Sequence, residues 1–206
     1  MHPISSAADE SAKLSQVYSD NKYLSPLEGL KDAPHTFRYL KASDIQKIGM
    51  IEKRIYGDAV QNLPIPCVDI FLFNPYSKSY LLVLRKDPPA QNFWWPPGGR
   101  VYKGETLAEC AKRKCREELG LKATDVTVLK NLGVVETFFP DSAWNTQTHT
   151  INVLYLLRLN SDVVLNIDKT CQNYKWVPID TIPECEDPYI KNIYTLSIAA
   201  LKDHLI

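Results

Sequence analysis

The sequence predicts an α/β protein: a mixed β-sheet sandwiched by helices and preceded by a polar N-terminal extension. Three observations lead there. Apolar, strand-like runs stand on both sides of one strongly signalled helix. That helix opens with a Thr106-x-x-Glu109 capping box and stops at Gly120. The order is strands, helix, strands, helix, which differs from the regular alternation of a doubly wound sheet.

Residues 1 to about 36 are polar and rich in Ser, Ala, Asp and Lys, and read as a mobile or loosely docked arm. Residues 1–38 are assigned to this extension and 39–206 to the folded domain. Ser43-Asp44 is expected to cap a helix reaching about Arg54, with Ile45, Ile48 and Ile51 as a partial apolar face and Gly49 weakening it. Pro64 and Pro66 end this lead-in. A strand follows in CVDIFLFN, a turn at Asn74-Pro75-Tyr76-Ser77, and a partner strand in SYLLVLRK, together a hairpin. The loop DPPAQNFWWPPGGR is dense in Pro and aromatics, with Phe93, Trp94 and Trp95 assigned to the core rather than to base stacking. The helix runs from about Leu107 to Leu119, and Leu107, Ala111 and Cys115 form a stripe facing a core. Further strands are expected at VTVLKNLGVVETFF, THTINVLYLLRL and YKWVPI, and a closing helix in DPYIKNIYTLSIAALKDHL. PDSAWNTQT reads as an exposed loop near any active site.

The 206 residues suffice for one sizeable domain. Lys plus Arg and Asp plus Glu number 24 each, so no global field draws the protein to nucleic acid or an anionic membrane. Basic groups that bind phosphate must therefore be local. The cysteines are Cys67, Cys110, Cys115, Cys171 and Cys185, an odd set without C-x-x-C spacing, which favours reduced thiols in the cytoplasm over a disulfide framework or a zinc site. No apolar run approaches the roughly 20 residues of a membrane span, and the N-terminus lacks the basic start and apolar core of a secretory signal.

The stretch PPGGRVYKGETLAECAKRKCREELGL, Pro96 to Leu121, carries the chemistry. Cleaving a diphosphate requires charge neutralisation, and a divalent cation held by carboxylates supplies it. Glu117 and Glu118 lie together on the helix, Glu105 precedes it, and the Gly98-Gly99 turn brings backbone close to a ligand. Two adjacent glutamates alone would be a solvated charged patch. Gly99, Glu105, Arg113, Glu117, Glu118, Gly120 and Leu121 at these offsets resemble the Nudix box. The resemblance covers about residues 62 to 200 and implies an α/β/α sandwich. One position departs: Lys114 stands where the box has glutamate after the arginine. Lys114 is four residues before Glu118, so an ion pair is available. Fewer metal ions, a shifted metal site or lost catalysis would follow, with activity on a single ion favoured.

Around the box, the run from Arg85 to Leu107 resembles the GDP-mannose mannosyl hydrolase branch, which has an arginine before Pro-Ala-Gln, an aromatic pair, and Pro-Gly-Gly-Arg-Val before Glu-Thr-Leu. The branch resemblance implies water attack at the anomeric carbon, releasing nucleoside diphosphate and sugar. It implies Asp69, Arg85 and Arg100 as substrate-binding residues, and Arg100, Arg113, Glu105, Glu117 and Glu118 as the catalytic set. Arg113 has the alternative of orienting Glu105, and Asp69 that of a structural hydrogen bond. Mg²⁺, with Mn²⁺ as substitute, would sit on Gly99, Glu117 and Glu118. The branch's histidine base before its Tyr-Arg-Trp segment has no counterpart: Thr170 and Cys171 precede Tyr174-Lys175-Trp176, and Thr137 replaces a second histidine. Asp168, His149, Glu136 and Asp141 are the candidate bases, with His149 and Cys171 read first as structural. Attack at phosphorus on another nucleoside diphosphate derivative, and a silent module binding a nucleotide or partner, are the alternatives. The resemblance also implies a homodimer built through residues 39–66.

Overall fold

A computed structural model describes residues 45–46, 48–181 and 187–202. Its elements are α1 (Lys53–Asn62), β1 (Ile65–Asn74), β2 (Ser79–Arg85), β3 (Trp94–Trp95), β4 (Gly98–Arg100), α2 (Leu107–Leu119), β5 (Val126–Phe139), β6 (Thr148–Leu159), β7 (Cys171–Pro178) and α3 (Pro188–Lys202). The polar arm and Ser43-Asp44 lie outside the described residues.

All seven strands join one sheet in the order β3-β2-β1-β6-β5, with β7 on β2 and β4 on β1. β1 and β6 run parallel while the other pairs are antiparallel, so the sheet is mixed as expected. Side chains alternate between its faces. Val68, Ile70, Leu72, Leu81 and Val83 meet α2 through Cys110, Ala111, Cys115 and Leu119. Phe71, Phe73, Tyr80 and Leu82 meet α3 through Ile190, Ile193, Tyr194 and Leu201. Each layer buries its own face against the sheet, which makes the α/β/α sandwich.

The ends of α2 fall where its signals place them. Thr106 accepts the Glu109 amide, the Glu109 carboxylate accepts the Thr106 amide, and Gly120 caps the far end in the left-handed region. The turn after β1 is held by Asn74 Oδ1, which accepts the Tyr76 and Ser77 amides at 2.9 and 3.3 Å. β1 begins at Ile65, earlier than the prolines suggested; Pro66, lacking a donor, uses its carbonyl to accept the Val101 amide at 2.9 Å. β7 likewise begins at Cys171 rather than Tyr174, because its pairing with β2 continues past a bulge to Arg85.

Two expectations are corrected. Among the described residues no helix runs through Ile45, Ile48 and Ile51; Ile48 instead forms an isolated antiparallel bridge to Lys103, and the helix is α1. Gly49 disfavours helix there, and Ile45 is exposed while Ile48 and Ile51 are only half-buried, none of them in a core cluster. The aromatic triplet also divides. Trp95 is buried and stacks on Tyr189 with ring centroids 4.7 Å apart, and Trp94 is half-buried beneath the Lys175 ammonium. Phe93 is exposed, because a two-residue strand carries only Trp94 and Trp95 onto the sheet. Among the described residues no helix is long and apolar enough to cross a membrane.

Candidate active site

The site begins with the pairing of β4 on β1, which places Gly98 opposite Asp69, Gly99 opposite Val68 and Arg100 opposite Cys67. This lays the glycine turn against α2. Gly99 has φ +140°, a backbone conformation that favours glycine, and a Cβ there would lie 2.8 Å from Lys114 Cε, so a side chain would displace the lysine.

Arg113 is enclosed by acceptors. Its Nε and Nη2 donate to the two Glu105 oxygens at 2.8 and 2.6 Å, its Nη1 to Glu117 at 2.9 Å, and Nη2 also to the Arg100 carbonyl at 2.9 Å. Its guanidinium lies 3.7 Å from the Tyr102 ring centre. Glu105 additionally accepts the Tyr102 amide at 2.6 Å. Burial works against charge on Glu105, yet Arg113 and that amide outweigh it and hold its pKa below the ordinary value. Its donors are thus directed at Glu105, Glu117 and the Arg100 carbonyl, the arrangement that orienting a box glutamate would use.

Lys114 Nζ donates to Glu118 Oε1 at 2.7 Å, and Glu118 Oε2 accepts the Gly98 amide at 3.1 Å. Burial disfavours the ammonium, but the charge and hydrogen bond of Glu118 overcome it and raise the lysine pKa. The helix end below is closed by the Asn166 and Asp168 amides, which donate to the Leu119 and Glu118 carbonyls, each at 3.0 Å.

Arg100 stands apart. Its guanidinium lies 4.2 Å from the Tyr56 ring centre and 5.1 Å from that of Tyr102, with no carboxylate partner among the described residues. Tyr56 reaches it from α1, positioned by an edge contact with Trp144. Trp144 lies so close to Gly57 that a Cβ there would be 2.6 Å from its ring. The expected exposed loop thus sends a half-buried Trp144 onto α1.

Asp69 is buried, and its Oδ2 accepts Asn152 Nδ2 at 2.8 Å and the Tyr189 hydroxyl. Burial pushes its pKa up to about 6. It therefore joins β1, β6 and the start of α3 in one buried network. Arg85 Nε donates to the Pro89 carbonyl at 2.7 Å and tethers the aromatic loop.

The four candidate bases separate. His149 and Glu136 are 3.4 Å apart on β6 and β5, where His149 stacks on Phe138. His149 lines a cleft with residues 60–64, 138–140 and 146–148. Asp141 accepts the Ala90 amide at 3.3 Å, and Asp168 accepts the Thr170 amide at 2.9 Å. Cys171 is packed against the core and its thiol is pushed up to about 11 by burial, consistent with a structural role.

The carboxylates expected to hold a divalent ion are already engaged by protein donors. Among the described residues no three His, Cys, Asp or Glu side chains are gathered to hold a metal. Glu118 has an ammonium on one oxygen and an amide on the other, and Glu105 is saturated by Arg113 and Tyr102. Sequence reasoning missed Tyr56, Tyr102, Trp144 and Tyr189. Tyr102 alone had a signal, since two positions after Arg100 in extended chain shares its face; the other three arrive from distant segments.

Comparison with known proteins agrees with this construction. The Low-salt glycan biosynthesis protein Agl8 of Haloferax volcanii is 39% identical over 83 residues, covering 40% of this chain and 50% of that protein, so the match spans half of that relative's length. The RNA pyrophosphohydrolase of Caulobacter vibrioides is 24% identical over 147 residues, 66% of this chain and 85% of that protein. The fold is shared with the C. elegans Ap4A hydrolase binary complex, with a TM-score of 0.54 at 20% identity over 68% of this chain and 98% of that one. The NUDIX domain family matches residues 63–196, well over half of the molecule, and the chain belongs to that family.

Proposed function

We propose that this protein is a Nudix hydrolase acting on a nucleotide-sugar, with GDP-mannose or a close relative leading, and that it releases nucleoside diphosphate and free sugar. The observation that carries this reading is Arg100, a guanidinium held between Tyr56 and Tyr102 beside the glycine turn with no carboxylate partner among the described residues. Such a group is matched to a diphosphate, whose charge grows as the sugar bond breaks. The branch-like run from Arg85 to Leu107 and the partial match to a glycan biosynthesis protein support the sugar-nucleotide class.

The family generally uses divalent metals such as Mg²⁺. The proposed Mg²⁺ would serve the chemical step, neutralising the leaving diphosphate; Glu117, Glu118 and the Gly99 carbonyl would hold it once Lys114 is displaced. We further propose that the enzyme is a homodimer and works in the cytoplasm, where Cys67, Cys110, Cys115 and Cys171 stay free thiols.

The test is incubation with GDP-mannose and Mg²⁺ followed by phosphorus NMR. GDP and mannose are the expected products. GMP and mannose 1-phosphate would move the attack to phosphorus, the reading favoured by the longer match to an RNA pyrophosphohydrolase. No turnover of any sugar nucleotide would shift the reading to another nucleoside diphosphate derivative or to a silent binding module.

A further inference from the structure

We propose that the Lys114 ammonium is the resident cation of this box and binds the diphosphate of a nucleotide ligand directly, without a divalent metal. This rests on the nucleotide-ligand part of the functional reading. The ammonium is wedged between Glu118 Oε1, 2.7 Å away, and the glycine turn, with Nζ 3.2 Å from where a Gly99 Cβ would stand. Gly99 has no side chain to exclude it. The Gly98 amide fixes the other Glu118 oxygen at 3.1 Å, so the carboxylate that seats the lysine is itself held.

Charge argues the same way. Glu105, Glu117 and Glu118 carry three negative charges, and Arg113 and Lys114 return two, leaving one. A glutamate at position 114 would leave four carboxylates against one arginine, a net of three. A cluster with three uncompensated charges calls for divalent ions, whereas one near neutrality does not and has an ammonium in the way. Arg100, close by on β4, brings the local balance to zero. Neutrality lets a dianionic phosphate approach without bringing its own cation.

The donors are suited to this. An ammonium has three N–H groups, and among the described residues Lys114 spends one on Glu118. The remaining donors and the Arg100 guanidinium flank the same glycine turn. An i,i+4 lysine–glutamate pair on an open helix would be a minor surface feature. Here the two side chains retain only 17% and 12% of their exposure, at the one place where the family would store its metal.

The experiment is calorimetric titration of the full chain with inorganic pyrophosphate and with GDP, each in EDTA and in Mg²⁺. The wild type is expected to bind both ligands in EDTA. Lys114→Gln should weaken EDTA binding by at least roughly tenfold, the loss of one charge-assisted contact. Lys114→Glu should abolish it, and should acquire affinity for Mg²⁺ alone that the wild type lacks. Melting curves of both variants separate lost binding from lost folding, and Lys114→Met provides a second neutral replacement. Wild-type binding that appears only with Mg²⁺, or Lys114→Gln binding equal to wild type in EDTA, would overturn the proposal. Metal-free pyrophosphate binding that depends on Lys114, in a protein that turns over no sugar nucleotide, would uphold the lysine assignment and sink the sugar-nucleotide reading.

Discussion

Arg100 and Asp69 show how surroundings decide what a charged residue can do. Arg100 is propped by two tyrosine rings and meets no carboxylate among the described residues, which leaves it suited to the proposed ligand role. Arg100→Ala is expected to lower kcat/KM for the correct substrate by roughly 10²- to 10³-fold with little change in melting temperature. Arg100→Lys should recover only part, since an ammonium lacks the planar, stacked fork. Equal turnover by wild type and Arg100→Ala would remove this residue from the site. Asp69 is the opposite case, with its acceptors turned inward to Asn152 and Tyr189. Burial raises its pKa from 3.8 to about 6. A carboxyl raised in the folded state contributes stability below its unfolded value and loses it as pH climbs through the folded one, here between about pH 4 and 6. The difference is on the order of 3 kcal/mol. Asp69→Asn keeps an acceptor for both donors and never ionises. Its melting temperature relative to wild type should therefore rise between pH 4 and pH 7.5 in scanning calorimetry. A pH-independent difference would mean that Asp69 does not ionise at a buried site. Asp69→Ala strands two buried donors and should destabilise at every pH.

The secondary elements were legible wherever their signals are local. α2 is the clearest: Thr106, Glu109 and Gly120 act on the backbone within one turn of where they stand, so the sequence could place both helix ends. Thr106→Ala is expected to cost about 1 kcal/mol, measured by denaturant unfolding, and to loosen the turn that carries Glu105. An unchanged midpoint would mean the cap is redundant. α1 had no such signal. Glu52 makes no side-chain cap, and Gly57 looks like a breaker until Trp144, 87 residues later, is seen lying against it. The isoleucines at 45, 48 and 51 imitated a helix because periodicity reports a possible face and says nothing about whether a core exists to meet it. The site divides the same way. Box spacing announced Glu105, Arg113, Glu117 and Glu118, and the Lys114–Glu118 pair follows from helical geometry. The tyrosines around Arg100 and the closed network of Asp69 come from pairings between strands and segments far apart in sequence, which a single chain read in order does not display.

At the scale of the molecule, the two layers cover the sheet unequally. α2, with 13 residues, is about 20 Å long, while β5, with 14, reaches about 46 Å. On its other face β5 is covered: Leu129, Leu132, Val135 and Phe139 pack with α3. On the face toward α2 the far half emerges, and Val134 and Phe138 are 61% and 72% exposed. Leu63, at the end of α1, is 61% exposed, and it lines the same cleft as Phe138. β5 also ends the sheet order, so its outer edge has no strand partner among the described residues. An apolar face next to an open edge is the kind of surface that a second copy covers by two-fold pairing. It adjoins residues 60–64, part of the segment through which the homodimer was expected. Phe138→Glu is therefore predicted to convert a dimer into a monomer in size-exclusion chromatography with light scattering, with the melting transition of the monomer still cooperative. The substitution leaves both cores untouched, because Phe138 belongs to neither. A wild type that runs as a monomer at all concentrations would refute the dimer. A dimer that survives Phe138→Glu would move its interface away from β5.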